Sequence, residues 1–150
     1  MGRGQISIDL LFAVTLVMLT VVSLINLSAQ EMEGARVIDR TAQLKVFAVE
    51  LRDSVVKVYS SGGGFAVRKE VPLKLHPGEN VRVTLDNSTN ALVVTAWIGG
   101  KSYRVAQRLP VPLSKKTSVK LTATDPSLWI IASYNETTGM VDVEVSGNRP

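Results

Sequence analysis

The sequence contains no cysteine and only one histidine. The lack of thiols excludes both a disulfide framework and a zinc site built on thiolates. Proline is absent before Pro72, and between the N-terminal leader and residue 60 the only glycine is Gly34. Aromatic residues make up only 5% of the chain. A long helix is therefore permitted in the first sixty residues, while the abundance of Val, Leu and Thr further on favours strands.

Motifs for catalysis or cofactor binding are also missing. His76 lies in a Pro-Gly turn, where we expect a solvated loop residue, neither a base nor a ligand. The sequence has no Gly-x-Ser-x-Gly and no paired carboxylates in an obvious cleft element. Gly62–Gly64 lack the Gly-Lys-Ser/Thr ending of a phosphate-binding loop, so we interpret them as a hinge. We therefore expect neither an enzyme nor a bound cofactor or metal.

The charge is mildly basic. The formal net charge is +4, and residues 61–150 alone carry eleven Lys and Arg against seven Asp and Glu. A dedicated nucleic-acid binder has a denser basic patch, so no specific nucleic-acid partner is expected. Two groups of cations could still attract acidic surfaces or DNA, or could simply keep a β-rich surface soluble and protect sheet edges. They are Lys101, Arg104 and Arg108, and Lys115, Lys116 and Lys120.

An uncharged, apolar run from Leu10 to Leu27 is the most informative feature. As a helix it spans roughly 27 Å, close to the thickness of bilayer hydrocarbon. Arg3 precedes the run while Glu31 and Glu33 follow it, so the N-terminus is expected inside and the remainder outside. Asp9 stands at the start of the apolar run. An ionised acid costs roughly 2.5–3.5 kcal/mol in a membrane, so an acid at such a position usually has a function.

Three interpretations of this run are open. A cleaved secretory signal has a shorter apolar stretch and ends in a small-x-small site, whereas Leu27-Ser28-Ala29 places a bulky residue there. A plain uncleaved anchor explains the run but not Asp9. The third interpretation is a precursor whose short basic leader is removed before the helix assembles.

The third interpretation follows from a resemblance. The segment Gly4-Gln5-Ile6-Ser7-Ile8-Asp9-Leu10-Leu11 resembles the class III signal peptide of archaeal type IV pilins. The resemblance implies that a prepilin peptidase removes residues 1–4 by cutting after Gly4, which makes Gln5 the first mature residue. Ser7 and Asp9 match the family's processing and assembly positions, although Asp9 replaces the usual Glu. In the family this acid is thought to pair with the N-terminal amine of a neighbouring subunit; otherwise Asp9 merely caps the helix.

The resemblance implies a structural subunit of an adhesive type IV pilus, a helical homopolymer at the cell surface. Its precursor would wait in the cytoplasmic membrane, with the N-terminus inside, for a membrane assembly platform, and the finished filament could contact surfaces or other cells. Close alternatives are an archaellum (archaeal flagellar) filament subunit and a minor pilin. The alternative from a different class is a single-pass, membrane-anchored extracellular binding module.

The helix is predicted to continue past the apolar run, over about residues 6–60. Apolar residues then recur at alternating steps of four and three, which is the pattern of one buried helix face. They are Val37, Leu44, Ala48, Leu51, Val55 and Val58. The expected organisation is thus a leader (residues 1–4), a transmembrane or filament-core helix (5–60), a glycine hinge (61–64) and a β-rich head (65–150).

The head is predicted to be an antiparallel, sandwich-like arrangement of about seven strands, which makes the fold class α+β. The predicted strands are Phe65–Leu75, Val81–Leu85, Leu92–Ile98, Tyr103–Leu109, Val119–Thr124, Leu128–Tyr134 and Met140–Val145. Gly99-Gly100 indicates a tight hairpin. Pro110 and Pro112 are expected to form an extended link that crosses between sheets.

Two predicted turns contain acceptor sequences for N-glycosylation. Asn87-Ser88-Thr89 and Asn135-Glu136-Thr137 both match the pattern. The pattern also occurs by chance, so each asparagine is a candidate only. Asn26-Leu27-Ser28 matches too, but it lies within the apolar run and is discounted.

Overall fold

The computed structural model describes the backbone of residues 3–149 and the side chains in that range, except those of residues 3–7, 33 and 37. One helix is followed by seven strands, which confirms the predicted α+β class. Contacts divide the chain into two compact units, residues 1–39 and residues 40–150. Helix α1, Arg3–Ser61, contributes its first part to one unit and its last part to the other.

The strands of the second unit form two antiparallel sheets. They are β1 (Ala66–Glu70), β2 (Asn80–Asp86), β3 (Ala91–Ile98), β4 (Lys101–Arg108), β5 (Thr117–Thr122), β6 (Ser127–Asn135) and β7 (Met140–Ser146). One sheet has three strands in the order β1-β6-β7, and the other has four in the order β4-β3-β2-β5. Strand burial alternates in β2, β3 and β6, as expected for sheets with one covered face.

The core of this unit joins the helix to both sheets. Leu44, Phe47, Leu51 and Val55 of α1 are at most 1% exposed and belong to one buried cluster with residues of both sheets. Their spacing of three and four residues places them on one helix face. The predicted buried face is therefore confirmed from Leu44 onward, and Phe47 is its largest side chain.

The two sheets meet where β5 and β7 run close together. The backbone N–H of Val145 donates a hydrogen bond to Thr117 Oγ1 at 3.1 Å. Just before β5, Lys115 Nζ lies 2.6 Å from Glu144 Oε2. Glu144 belongs to β7, which is an edge strand of its sheet.

Two details of the predicted head are wrong. The first strand was predicted over Phe65–Leu75 but ends at Glu70, because Pro72 has no N–H to donate and the N–H of Val71 bonds instead to the carbonyl of Pro126. The Pro110–Pro112 link does not cross between sheets. It joins β4 to β5, which are the two edge strands of the same sheet.

That link is held by Asn90, a residue with a positive φ of 49°. Its side-chain nitrogen donates to the carbonyls of Leu109 (2.9 Å) and Val111 (3.1 Å), and its side-chain oxygen accepts from the N–H of Leu113 at 3.1 Å. Asparagine tolerates the left-handed region better than most residues, and it also supplies both donors and an acceptor. Asn90 thus fixes the path between the two edges of the sheet.

The glycine segment ends α1 as predicted. Helix α1 stops at Ser61, and Gly62 has a φ of 88°, a value that suits glycine after a helix end. Gly63 matters for a different reason: a Cβ at this position would lie 2.8 Å from the backbone nitrogen of Tyr134. The segment therefore packs directly against β6, so close approach of two backbones at Gly63 and the positive φ of Gly62 explain these glycines.

Glu79 connects two turns of the head to α1. Its Oε1 accepts from the N–H of Gly99 at 2.9 Å and lies 3.4 Å from the guanidinium of Arg40, while its Oε2 accepts from the N–H of His76 at 2.9 Å. The side chain is only 12% exposed. Burial alone would raise its pKa, but the two backbone N–H groups and the charge of Arg40 hold the pKa below its ordinary value.

Replacing Gly63 by Ala should destabilise the head, because the added methyl group would clash with the backbone of β6. We expect a loss of roughly 1–3 kcal/mol in the free energy of unfolding. Gly34→Ala is the matched control: its Cβ meets nothing within 4 Å, and alanine favours a helix. Denaturant unfolding of the full chain in micelles, followed by Trp97 and Trp129 fluorescence, measures both. Equal midpoints for the two variants would contradict this packing.

Glu79 should make the head sensitive to acid. A depressed pKa contributes stability that is fully present above the unfolded value of about 4.5 and is lost as the pH falls through the lower, folded value. We expect Glu79→Gln to lose roughly 1–3 kcal/mol at neutral pH, and the loss to shrink below pH 4.5. Glu136→Gln, in an exposed turn, is the control. A constant difference between wild type and Glu79→Gln across this range would refute the assignment.

Candidate functional site: the apolar segment of α1

The apolar segment, residues 8–27, is uncovered on every side. Each of its large hydrophobic side chains is between 45% (Val14) and 67% (Leu11) exposed. An 18-residue window of α1 reaches a mean hydropathy of 2.5, and none of it is buried. Among the described residues this is the one helix long and apolar enough to cross a membrane.

The contrast with the last part of α1 is informative. Around Leu44–Val58 apolar side chains are buried on one helix face, whereas in the apolar segment they surround the whole helix. A helix that is hydrophobic all round is stable only inside a large core or in a membrane. Covering this segment would stabilise it by tens of kcal/mol gross, at about 25 cal/mol per Å². The segment therefore requires an apolar environment that the chain itself does not supply.

The hydroxyl groups inside the apolar segment are satisfied locally. The hydroxyls of Thr15, Thr20 and Ser23 donate to the carbonyls four residues earlier, at 2.8, 2.9 and 2.8 Å. Such bonds let hydroxyl residues enter an environment without water, since no donor is left unpaired. The segment can thus be transferred from one apolar environment to another without exposing these groups.

The predicted processing residues lie at the start of α1. Gly4, Gln5 and Ser7 are within the helix, but their side chains lie outside the described residues, as does the rest of the leader before Arg3. The side chain of Asp9 is exposed, and no described side chain forms an ion pair with it. Because α1 begins at Arg3, Asp9 lies beyond the first turn and does not act as an N-cap in this chain. Its carboxylate is available to a group from outside.

The two glycosylation candidates differ in accessibility. Asn87 is exposed in the β2–β3 turn, and its side-chain nitrogen makes one long hydrogen bond, 3.3 Å, to the carbonyl of Ser114. Asn135 is half-buried: its nitrogen donates to Asp142 at 3.1 Å, and its oxygen accepts from the N–H groups of Thr137 and Thr138. A hydrogen bond from Ser114, the one from Asn135 and the charge of Lys115 hold the pKa of Asp142 below its ordinary value. Asn135 therefore stabilises its turn, and Asn87 is the accessible acceptor.

The two groups of cations are separated and rearranged by the fold. Arg104 and Lys120 share the outer face of the four-stranded sheet with Arg82, which was not identified from the sequence as part of either group. Lys115, by contrast, pairs with Glu144 on the other sheet. Within residues 3–149, no three described His, Asp or Glu side chains come close enough to hold a metal ion. The basic face is formed by the register between neighbouring strands. This register cannot be read from the spacing of residues along the sequence.

No protein-family model, curated protein or solved structure matches this chain. What the chain does is therefore inferred from its own residues. The apolar segment with Asp9 at its start and the basic sheet face are the two features that call for a partner.

Proposed function

We propose that this chain is a structural subunit of an archaeal type IV adhesive pilus and polymerises through the apolar segment of α1. The observation that carries the proposal is an apolar segment that the described chain does not cover, with the exposed carboxylate of Asp9 at its start. This arrangement is joined to the processing pattern from Gly4 to Asp9. The head, held to the last part of α1 by a shared core, would form the outer surface of the filament.

The mechanism has two stages in two apolar environments. The precursor is held in the cytoplasmic membrane by the apolar segment, with Arg3 on the cytoplasmic side. A prepilin peptidase then cuts after Gly4, and the new amine of Gln5 carries a positive charge. An assembly platform moves the helix from lipid into a bundle of identical helices, where the apolar segments cover one another.

Asp9 would guide the second stage. Asp9 is four positions after Gln5, so its Cα lies about 6 Å along the helix axis from that of Gln5, the N-terminus of the mature subunit. A neighbour displaced along the filament can place its Gln5 amine beside this carboxylate. In surroundings of low dielectric constant an unpaired charge is expensive, so the pair would select the correct axial offset between subunits.

Three other functions remain candidates. An archaellum subunit or a minor pilin would use the same leader and helix. A membrane-anchored binding module would need the apolar segment but neither cleavage after Gly4 nor a carboxylate at position 9. The exposed Asp9 favours an assembling subunit over the plain anchor, because an anchor gains nothing from an acid at the membrane boundary.

Cleavage is tested by replacing Gly4 with Val in the native host. We expect wild type to yield a mature chain that starts at Gln5, and Gly4→Val to remain full-length in the membrane and form no filaments. Gly2→Val, the same substitution two residues earlier, should be processed normally. N-terminal analysis and intact mass measure all three. A wild-type chain that keeps its leader in the membrane would leave the anchored binding module as the better explanation.

Assembly is tested separately at Asp9. Asp9→Asn removes the charge but preserves the size, so we expect normal cleavage and a reduction in sheared surface filaments of at least about tenfold. Asp9→Glu keeps the charge and should restore assembly. The quantity of the chain in sheared filaments relative to membranes gives the readout. Wild-type filament yield from Asp9→Asn would show that the carboxylate has no role in assembly.

A further inference from the structure

The outer face of the four-stranded sheet carries a row of cations. Strand register places Lys120 opposite Arg82, Arg82 opposite Thr95, and Thr95 opposite Arg104. Neighbouring strands are about 4.8 Å apart, so these backbones span about 14 Å across the sheet. We call Lys120, Arg82 and Arg104 the cationic row.

The three charges of the cationic row are unsatisfied within the chain. All three residues are exposed, and among residues 3–149 no described carboxylate forms an ion pair with any of them. One acid, Asp86, lies on this face of β2, four residues from Arg82, and lines the same depression. Its carboxylate accepts hydrogen bonds from Ser88 and Thr89, which, together with the charge of Lys116, lower its pKa. Asp86 is thus occupied by its own turn and leaves the cationic row free.

The surface around the cationic row is a shallow trough with hydroxyl groups. One depression of about 320 Å³ is lined by three cations and one acid together with Val93 and three hydroxyl residues: Arg82, Arg104, Lys116, Asp86, Thr84, Thr95 and Ser118. A second depression, of about 330 Å³, borders Lys120 and Asn80 and also Glu79. Each depression contains members of the cationic row, so a chain-like ligand that extends across the sheet can contact both.

An exposed aromatic ring lies beside the cationic row. Trp97 is 48% exposed and stands opposite Asn80 and Ser102, one row beyond the cations on the same face. An exposed indole offers a large, flat, apolar surface and a single N–H donor. An acidic sugar polymer carries groups that match this face. Its acidic groups can pair with the cations, its hydroxyls can bind the hydroxyls of the sheet, and one of its rings can lie on the indole.

We propose that this face binds an anionic polysaccharide. Carboxylate or sulfate groups would pair with the guanidinium groups of Arg82 and Arg104 and the ammonium of Lys120, and a sugar ring would cover Trp97. Guanidinium groups bind such oxyanions with two parallel hydrogen bonds, which gives geometry as well as charge.

The alternative occupants fit less well. In a second copy of the head, Glu79, Asp142 and Glu144 are engaged in their own contacts. The exposed acids Glu70, Asp125 and Glu136 lie in β1, in the β5–β6 link and in the β6–β7 turn, so they do not form a row across one sheet. A single-stranded nucleic acid is usually bound by several aromatic side chains that stack on successive bases, and this face has one tryptophan.

The inference rests on the proposed function only for placing the head outside the cell. The binding itself needs neither cleavage nor assembly, so it can be tested on full-length chains in neutral detergent micelles. If the head does not bind polysaccharide, the pilus proposal still stands. If the chain does not form filaments, the polysaccharide proposal still stands.

The experiment measures the affinity of micellar protein for polygalacturonate, dextran sulfate, neutral dextran and oligo(dT). We expect one or both anionic polysaccharides to bind, more weakly as salt increases, and dextran not to bind. The variant Arg82→Gln/Arg104→Gln/Lys120→Gln should weaken binding by at least about tenfold. The control Lys45→Gln/Lys57→Gln/Lys74→Gln removes the same charge from exposed sites elsewhere and should change affinity by less than about threefold.

Trp97→Ala should weaken polysaccharide binding without changing its salt dependence, since it removes an apolar contact and no charge. If the triple variant fails to fold, Arg104→Gln alone, on edge strand β4, replaces it, with Lys74→Gln as its control. Equal losses in the face and control variants would overturn the proposal, as would no binding of either anionic polysaccharide. Tighter binding of oligo(dT) than of both polysaccharides would also overturn it.

Discussion

The structure depends on the apolar segment of α1, because exposing this segment to water carries a large free-energy cost. From Ile8 to Leu27 every large hydrophobic side chain is about half exposed or more. The hydroxyls of Thr15, Thr20 and Ser23 bond to their own helix, so these three groups need no polar partner from the surroundings. A bilayer and a bundle of like helices both meet this requirement. Passage from the first to the second is the basis of the proposed assembly.

The last part of α1, in contrast, is covered by the rest of its own chain. It is amphipathic, and its buried stripe from Leu44 to Val58 is completed by two sheets of the same chain. Glu79 strengthens this arrangement because its buried carboxylate joins Arg40 of α1 to two backbone N–H groups of the head. A single helix thus contains one region that folds with its own chain and another that needs a partner.

Local patterns predicted much of this fold. Alternating apolar residues indicated all seven strands, and Gly62–Gly64 correctly marked the end of α1. Sheet membership was harder, because the edge positions of β4 and β5 depend on pairings between residues far apart in sequence. Pro72 shortened β1 by removing a donor that the alternation pattern did not take into account.

The residues that sequence reasoning missed act over long range. Asn90 and Glu79 look like ordinary turn residues until the fold places Leu113 and Arg40 beside them. Arg82 joins Arg104 and Lys120 only through strand register. The apolar segment and Asp9 can be identified from the sequence because their residues are contiguous. The residues of the cationic row lie on three separate strands, so the sequence does not show that they are neighbours.

The most direct test of the central claim is a cryo-electron microscopy reconstruction of filaments sheared from native cells. The account predicts filaments built from this chain, with residues 10–27 packed as helices in the core and the β-rich heads outside. It also predicts density at the first residue that corresponds to Gln5, near Asp9 of a neighbour. Filaments that lack this chain, with the full-length protein found only in membranes, would contradict it.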